Sequence, residues 1–186
     1  MRIAFTGTAS TGKTTLINEL FKKKEFLDYQ LIFLKTDARS ILDSMGFRQM
    51  DLMNIEQTQI FELRYFDLKK ENETNNSNFI TDRSFVDGAS YWLNRDCAND
   101  LSLANSFINK SCRLSLQYDL HFYFPYGIIP FEGDGYRSEN ETLRKNIGDS
   151  IKLFLDDWSI KYIPLSTANL NDRVDIVLNE LKKIGR

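Results

Sequence analysis

The chain is poor in the features that mark secreted, membrane-bound or metal-stapled proteins. Two cysteines, Cys97 and Cys112, stand apart in 186 residues. They lack the close pairing of a zinc ribbon or a small disulfide scaffold, so a reducing compartment and buried thiols are expected. No apolar run approaches the roughly 20 residues of a bilayer span, so no membrane partner is expected. From Met1 the chain runs directly into a short apolar stretch and a glycine loop. That leaves no room for a basic segment, apolar core and cleavage site, so the expected location is cytoplasmic. The Asn-x-Ser/Thr triplets at Asn72, Asn75, Asn109 and Asn140 are then accidental. An excess of one charge is also missing: 24 Lys and Arg against 26 Asp and Glu leave a formal charge of −2. No global field would draw in duplex DNA, and a nucleic-acid partner is not favoured. The one histidine, His121, lies inside an aromatic run and is expected to be a satisfied core residue.

With 42% hydrophobic residues, the chain suits a single domain, residues 1–186, around one core. Arg2 to Thr6 predicts a strand buried on both faces, and Gly12 to Lys24 a helix with Leu16, Ile17, Leu20 and Phe21 on one side. Leu31 to Leu34 predicts a second strand, and Ala38 to Lys70 mostly helix, with no proline to interrupt it. The polar tract from Glu71 to Asn78 predicts a surface loop, Phe79 to Thr81 a third strand, and Val86 to Leu93 a helix. Tyr118 to Phe124 predicts a fourth strand that closes at Pro125. Gly127 to Tyr136, rich in glycine, proline and acidic residues, suits a mobile flap. Helix is expected from Glu139 to Trp158, a fifth strand from Tyr162 to Leu165, and a closing helix from Leu170 to Ile184. Strands alternating with helices imply an α/β fold on a five-stranded parallel sheet, with a lid at approximately 127–145.

Between the first strand and its helix stands Gly7-Thr8-Ala9-Ser10-Thr11-Gly12-Lys13-Thr14, which satisfies the P-loop pattern Gly-x4-Gly-Lys-Ser/Thr. Glycines let the backbone fold around phosphates, and loop amides and the helix dipole supply positive potential. Lys13 reaches the outer phosphates, and the Thr14 hydroxyl serves magnesium. ATP with Mg2+ is the expected cofactor pair, with contacts extending to Thr15.

Thr81-Asp82-Arg83-Ser84 follows the third strand, so Asp82 is expected at the sheet edge where parallel folds assemble their crevices. It can orient the metal beside Thr14 or accept a proton, and Arg83 can hold acceptor or transferred phosphate. The bland alternative is a helix cap, which Asp and Ser also favour. Asp87 is expected to be structural or peripheral. Asp37 and Arg39 follow the second strand and open on the same edge. Asp37 can hydrogen-bond or deprotonate a sugar hydroxyl and Arg39 can bind an anion, against a capped helix start with a solvated arginine. Gln57 and Gln59 can read a base edge, although an exposed glutamine is the default on a polar helix. Arg137, at the end of a glycine-rich hinge, and Arg144, on the helix that follows, can stabilise the charge of a migrating phosphoryl group as a lid closes. Tyr91 and Trp92 are expected to pack rather than to stack on a base.

Taken in this order, these elements resemble the small P-loop kinase-like ATPases of AAA type, which include the nicotinamide riboside kinase module of bifunctional NAD-biosynthesis proteins. The likeness rests on the loop at Gly7 to Thr14, Asp37 with Arg39, the helix near Gln57, Asp82-Arg83, and Asp134-Gly-x-Arg137. Asp-Arg-Ser at Asp82 to Ser84 is also similar to the corresponding element of bacterial deoxynucleoside kinases. Asp37 stands where related kinases often carry the longer glutamate. The resemblance implies a three-layer fold with helices on both faces of the sheet, ATP as donor and magnesium as cofactor. It also implies acceptor contacts from the Asp37 and Asp82 regions. The expected activity is phosphate transfer to a small nucleoside, nucleotide or ribosylated vitamin. Phosphorylation of a modified base in DNA, or a nucleotide switch without acceptor, are the alternatives.

Overall fold

The computed structural model describes residues 1–95 and 97–184. Its frame is a parallel sheet of β1 (Arg2–Thr6), β2 (Ile32–Leu34), β3 (Phe79–Asp82), β4 (Leu120–Tyr123) and β5 (Tyr162–Pro164), in the order β2-β3-β1-β4-β5. Every neighbouring pair is parallel, and β1 lies at the centre with Phe5 opposite Asp82 on β3 and Phe122 on β4. Parallel pairing requires a crossover between strands, and helices supply each one.

Eight α-helices occur among the described residues: α1 (Lys13–Leu20), α2 (Lys24–Leu27), α3 (Ala38–Ser44), α4 (Ile55–Thr74), α5 (Phe85–Asn94), α6 (Leu101–Ser115), α7 (Glu141–Asp157) and α8 (Leu170–Ile184). They divide by the alternation of strand side chains. Ile3 and Phe5 face one layer, where α1 supplies Leu16, Ile17 and Leu20 and α8 supplies Val174, Val177 and Leu181. Ala4 and Phe79 face the other, closed by Phe66 of α4, Phe85 and Trp92 of α5 and Phe107 of α6. Helix α7 packs Ile147 and Ile151 against Val86 of α5 and Tyr123 of β4. A smaller cluster joins α3 to α4 through Ile41, Leu42, Phe61 and Tyr65, with Tyr136 of the lid packed against it. This is the parallel α/β fold that the alternating pattern implies, in the three layers that the family resemblance implies. Among the described residues no helix is long and apolar enough to cross a membrane.

The structure departs from the sequence reading in the helical regions. The stretch after the P-loop divides into α1 and α2, and the long segment after β2 divides into α3, a 3-10 turn at Met50–Leu52 and α4. Helix α4 continues to Thr74, through residues expected in a loop, and Glu73 is buried. The buried face of α4 carries Thr58, Glu62, Lys69 and Glu73, so its polarity masks the helical period. Helix α6 falls where no element was expected. Its buried face is made of Ala104, Phe107, Ser111 and Ser115, a small and half-polar stripe. Cys112 on this helix is only partly buried, whereas Cys97 is buried as expected.

Candidate active site

The strand–loop–helix turn after β1 is constrained at both glycines. A Cβ on Gly7 would stand 2.7 Å from the Phe124 carbonyl oxygen, and Gly12 holds φ +84°, a left-handed conformation that favours glycine. Beneath the loop, Asp87 of α5 accepts hydrogen bonds from the Gly7 amide at 2.9 Å, the Ser84 amide at 2.7 Å and the Ser84 hydroxyl at 3.0 Å. Arg173 of α8 donates to the Thr11 carbonyl at 2.8 Å and to the Thr167 carbonyl at 2.6 Å. The loop is therefore clamped by two buried charged residues from remote helices. Asp87→Ala, which leaves the Gly7 amide without its partner, is expected to destabilise the fold by about 3 kcal/mol in chemical denaturation.

Lys13 is only 5% exposed, and its Nζ donates to the Gly7 carbonyl at 2.8 Å, the Thr8 carbonyl at 2.6 Å and the Thr11 hydroxyl at 3.1 Å. None of these acceptors is a carboxylate. Burial, reinforced by the nearby Arg83 guanidinium, lowers its pKa from 10.5 to about 8. Asp82 and Asp87 act on the ammonium from nearby but do not touch it, so the direct anionic partner it lacks is what a polyphosphate supplies. Gly7 and Thr8 lie buried beneath the loop, while Ala9, Ser10, Thr11, Gly12, Lys13, Thr14 and Thr15 line a cavity of about 470 Å³.

The Thr14 hydroxyl donates to an oxygen of Asp82, so the two residues picked out for magnesium meet at the end of β3. They present hard oxygen donors, and among the described residues no cluster of three His, Cys, Asp or Glu side chains forms a cage. A site with one or two protein oxygens suits Mg2+, which keeps waters and takes further oxygens from phosphates. Arg83 follows with φ +80°, an uncommon conformation for a residue with a Cβ. Its backbone is held on both sides: its amide donates to the Phe5 carbonyl at 2.9 Å, and its carbonyl accepts from Lys69 Nζ at 2.8 Å. Lys69 pairs with Glu73, which also accepts from the Tyr118 hydroxyl at 2.7 Å. This buried polar network turns the Arg83 side chain into the cavity, over the Tyr91 ring at 4.8 Å.

Asp37 and Arg39 both line the same cavity. Asp37 caps α3, its Oδ1 accepting from the Arg39 amide at 3.1 Å and the Ser40 amide at 3.3 Å. Arg39 forms an ion pair with Asp134 of the lid and lies 5.2 Å from the Tyr136 ring. The lid reaches the P-loop as well. Ser10 Oγ accepts from the Glu132 amide at 2.8 Å, and Arg137 Nη1 donates to the Glu132 carbonyl at 3.0 Å and to Ser10 Oγ at 3.3 Å. Asp134 also forms an ion pair with Arg137 Nε at 3.1 Å, so one carboxylate ties the lid arginine to α3. Arg144 of α7 lies 3.6 Å over the Phe131 ring, lining the cavity.

One expected residue, Gln57, stays away from this assembly, and His121 lies in the core as its aromatic surroundings imply. Gln57 is the N3 residue of a capping box on α4: its Oε1 accepts from the Asn54 amide at 3.0 Å, and it does not line the cavity. The substrate role expected of it is corrected by that hydrogen bond. His121 is a core residue, with Nδ1 at 3.0 Å from the Thr6 hydroxyl and Nε2 at 3.0 Å from the Ser115 carbonyl; burial lowers its pKa to about 4. Arg95 and Arg173 line the cavity without having been anticipated. Nothing in their local sequence distinguishes them from surface arginines.

A P-loop at the end of β1, a hydroxyl–carboxylate pair at the end of β3 and an arginine-bearing lid over one cavity define a P-loop protein of α/β kinase-like fold. The chain belongs to the AAA domain family AAA_28, whose model matches residues 2–173. No curated protein matches the sequence. Among solved structures the chain is similar to deoxyadenosine kinase from M. mycoides with products dCMP and a flexible dCDP bound. Identity is 17%, 99% of this chain and 100% of that chain are covered, and the TM-score is 0.73. The same kinase with bound dATP matches at 17% identity over 98% of this chain and 100% of that chain, with a TM-score of 0.64. The NadR protein in complex with NR matches at 18% identity over 94% of this chain and 50% of that chain, with a TM-score of 0.68. At these identities the likeness is one of fold.

Proposed function

We propose that this chain is an ATP-dependent kinase that moves the γ-phosphate to a small nucleoside-like or nucleotide-like acceptor, with residues 1–186 acting as one domain under a lid at about 127–145. The observation that carries this reading is the single cavity in which Lys13, Thr14 and Asp82 at one end meet Asp37, Arg83, Arg137 and Arg144. The similar deoxyadenosine kinase holds dATP in one structure and dCMP in the other, and NadR holds NR, all small molecules of this kind.

The P-loop amides and Lys13 bind the polyphosphate. Mg2+, when bound beside Thr14 and Asp82, neutralises phosphate charge and fixes its orientation. Arg137 and Arg144 face the charge that spreads over the migrating phosphoryl group, and Arg83 lies between donor and acceptor ends. Asp37, still anchored as a helix cap, offers its second oxygen to an acceptor hydroxyl. The lid contacts of Asp134, Tyr136 and Ser138 with α3 and the turn at Met50–Leu52 exclude water, which would otherwise compete as acceptor.

A transfer screen over nucleosides, nucleoside monophosphates and ribosylated vitamins, read by product mass, tests the proposal. A product heavier by one phosphate supports it, and ATP hydrolysis unaffected by every candidate would favour a nucleotide switch. Arg137→Ala is expected to lower kcat about 100-fold with little change in ATP affinity, because its guanidinium serves the transition state. Rapid-mixing kinetics and ATP titration separate the two effects. A loss of ATP affinity with kcat preserved would place Arg137 on the donor nucleotide instead.

A further inference from the structure

Arg95 closes α5 and lines the cavity, and its side chain is only 10% exposed. Among the described residues its Nε is buried without a hydrogen-bond partner. Its one ion-pair contact, Nη1 to Asp51 at 3.5 Å, is long, and Asp51 is also engaged by the Ser138 hydroxyl at 2.5 Å. Arg95 lies 5.4 Å from the centre of the Tyr91 ring, and Arg83 lies 4.8 Å from the same ring. Two guanidiniums are therefore gathered around one aromatic side chain, Arg95 nearly buried and Arg83 partly exposed. Arg83 leans on Asp87 only at 3.7 Å. Of the other carboxylates nearby, Asp82 receives the Thr14 hydroxyl, while Glu62 is 4% exposed and has its pKa raised to about 7 by burial, against the pull of Arg95 and Arg83. It supplies little more than a partial counter-charge at neutral pH. A buried donor without a partner costs free energy that an anionic ligand would recover.

A second observation concerns the chemistry of the acceptor. A sugar hydroxyl needs a group to take its proton, and the two carboxylates nearest the loop each have one oxygen already engaged: Asp82 with Thr14 and Asp37 with the amides of α3. A phosphate oxygen needs no base, because a phosphate monoester with a second pKa of about 6 is ionised at neutral pH.

We propose that the acceptor carries its own phosphate monoester, seated on Arg95 beside Arg83, so that the kinase converts a nucleoside monophosphate into a diphosphate. This rests on the kinase reading above and specifies its acceptor. An oxygen of the acceptor phosphate attacks the γ-phosphorus, the bond from that phosphorus to the β,γ-bridging oxygen breaks, and ADP leaves with the electron pair. One anhydride forms as one is cleaved, and Arg95 holds the acceptor phosphate in place.

The test compares matched pairs of nucleosides and their 5′-monophosphates as acceptors, with wild-type protein, Arg95→Gln and Arg95→Lys. Monophosphates are expected to be used at least about tenfold more efficiently than their nucleosides. Arg95→Gln should raise the monophosphate KM about tenfold or more with a smaller change in kcat, and Arg95→Lys should recover part of the loss. Efficient transfer to free nucleosides and none to monophosphates would overturn this inference while leaving the kinase reading intact. If no acceptor is turned over, the kinase reading fails, and calorimetric titration of AMP, CMP, GMP and UMP onto protein holding a non-hydrolysable ATP analogue decides the inference alone. Monophosphate binding that weakens in Arg95→Gln supports it, and no binding, or binding unchanged in a variant that melts as wild type does, overturns it.

Discussion

Lys13→Ala is expected to lower kcat by about 1,000-fold or more while leaving the protein folded. The two effects separate because of where the ammonium sits. Its pKa, lowered from 10.5 to about 8 chiefly by burial, shows that the folded protein holds the charge at a cost. That cost applies below pH 8 and is relieved as pH rises towards the unfolded value, so removing the side chain takes little stability away near neutrality. Phosphates reverse the balance by giving the ammonium a counter-charge. ATP affinity should therefore weaken as pH rises past about 8, and binding in that range should take up protons. Steady-state kinetics, a thermal melt and calorimetry in buffers of different ionisation enthalpy measure the three quantities. Unchanged turnover in Lys13→Ala would contradict the role given to the loop.

Asp82→Asn is expected to lower kcat by about 100- to 1,000-fold, with ATP affinity changed by less than about tenfold. The carboxylate receives the Thr14 hydroxyl and lies at the strand end adjoining Arg83. An amide of the same size keeps the packing but is a weaker metal ligand, so the magnesium concentration for half-maximal rate should rise. Magnesium titration of kcat in the variant reads this directly. A variant with normal kcat would reduce Asp82 to a local partner of Thr14.

The parts of the site that the sequence made legible are those written in contiguous residues. Gly7 to Thr14 holds the loop's backbone requirements within eight positions, and β1 and α1 flank it as the pattern demands. Asp82 and Asp37 were found as residues that follow apolar strands, and both line the cavity with the loop. The clamps were not legible, because their meaning is tertiary. Arg173 lies 162 residues from its Thr11 partner. Lys69 and Glu73 look like an exposed i,i+4 ion pair until Thr81 and the Arg83 carbonyl are brought against them. Two signals were available and passed over. Asn54-x-x-Gln57 and Ser84-x-x-Asp87 are capping-box spacings, which place Gln57 and Asp87 in the first turn of a helix.

The lid shows the same division. Its glycines and acidic residues mark an irregular segment, but only the fold reveals that Asp134 holds Arg39 and Arg137 together. That carboxylate lies below its ordinary pKa: partial burial acts against this, and the Tyr136 and Arg137 amides with the Arg137 and Arg39 charges overcome it. The joint between lid and α3 therefore keeps its charge over the working pH range and loosens only in acid.

The central claim is that the γ-phosphate leaves ATP for an acceptor held in this cavity. It is tested most directly with ATP labelled at the γ-phosphate, supplied with magnesium and a mixture of nucleosides and nucleoside monophosphates, by following where the label goes. The account predicts that the label appears on an acceptor in step with ADP formation and that Lys13→Ala abolishes both. Label found in inorganic phosphate alone, at a rate indifferent to every acceptor, would contradict it.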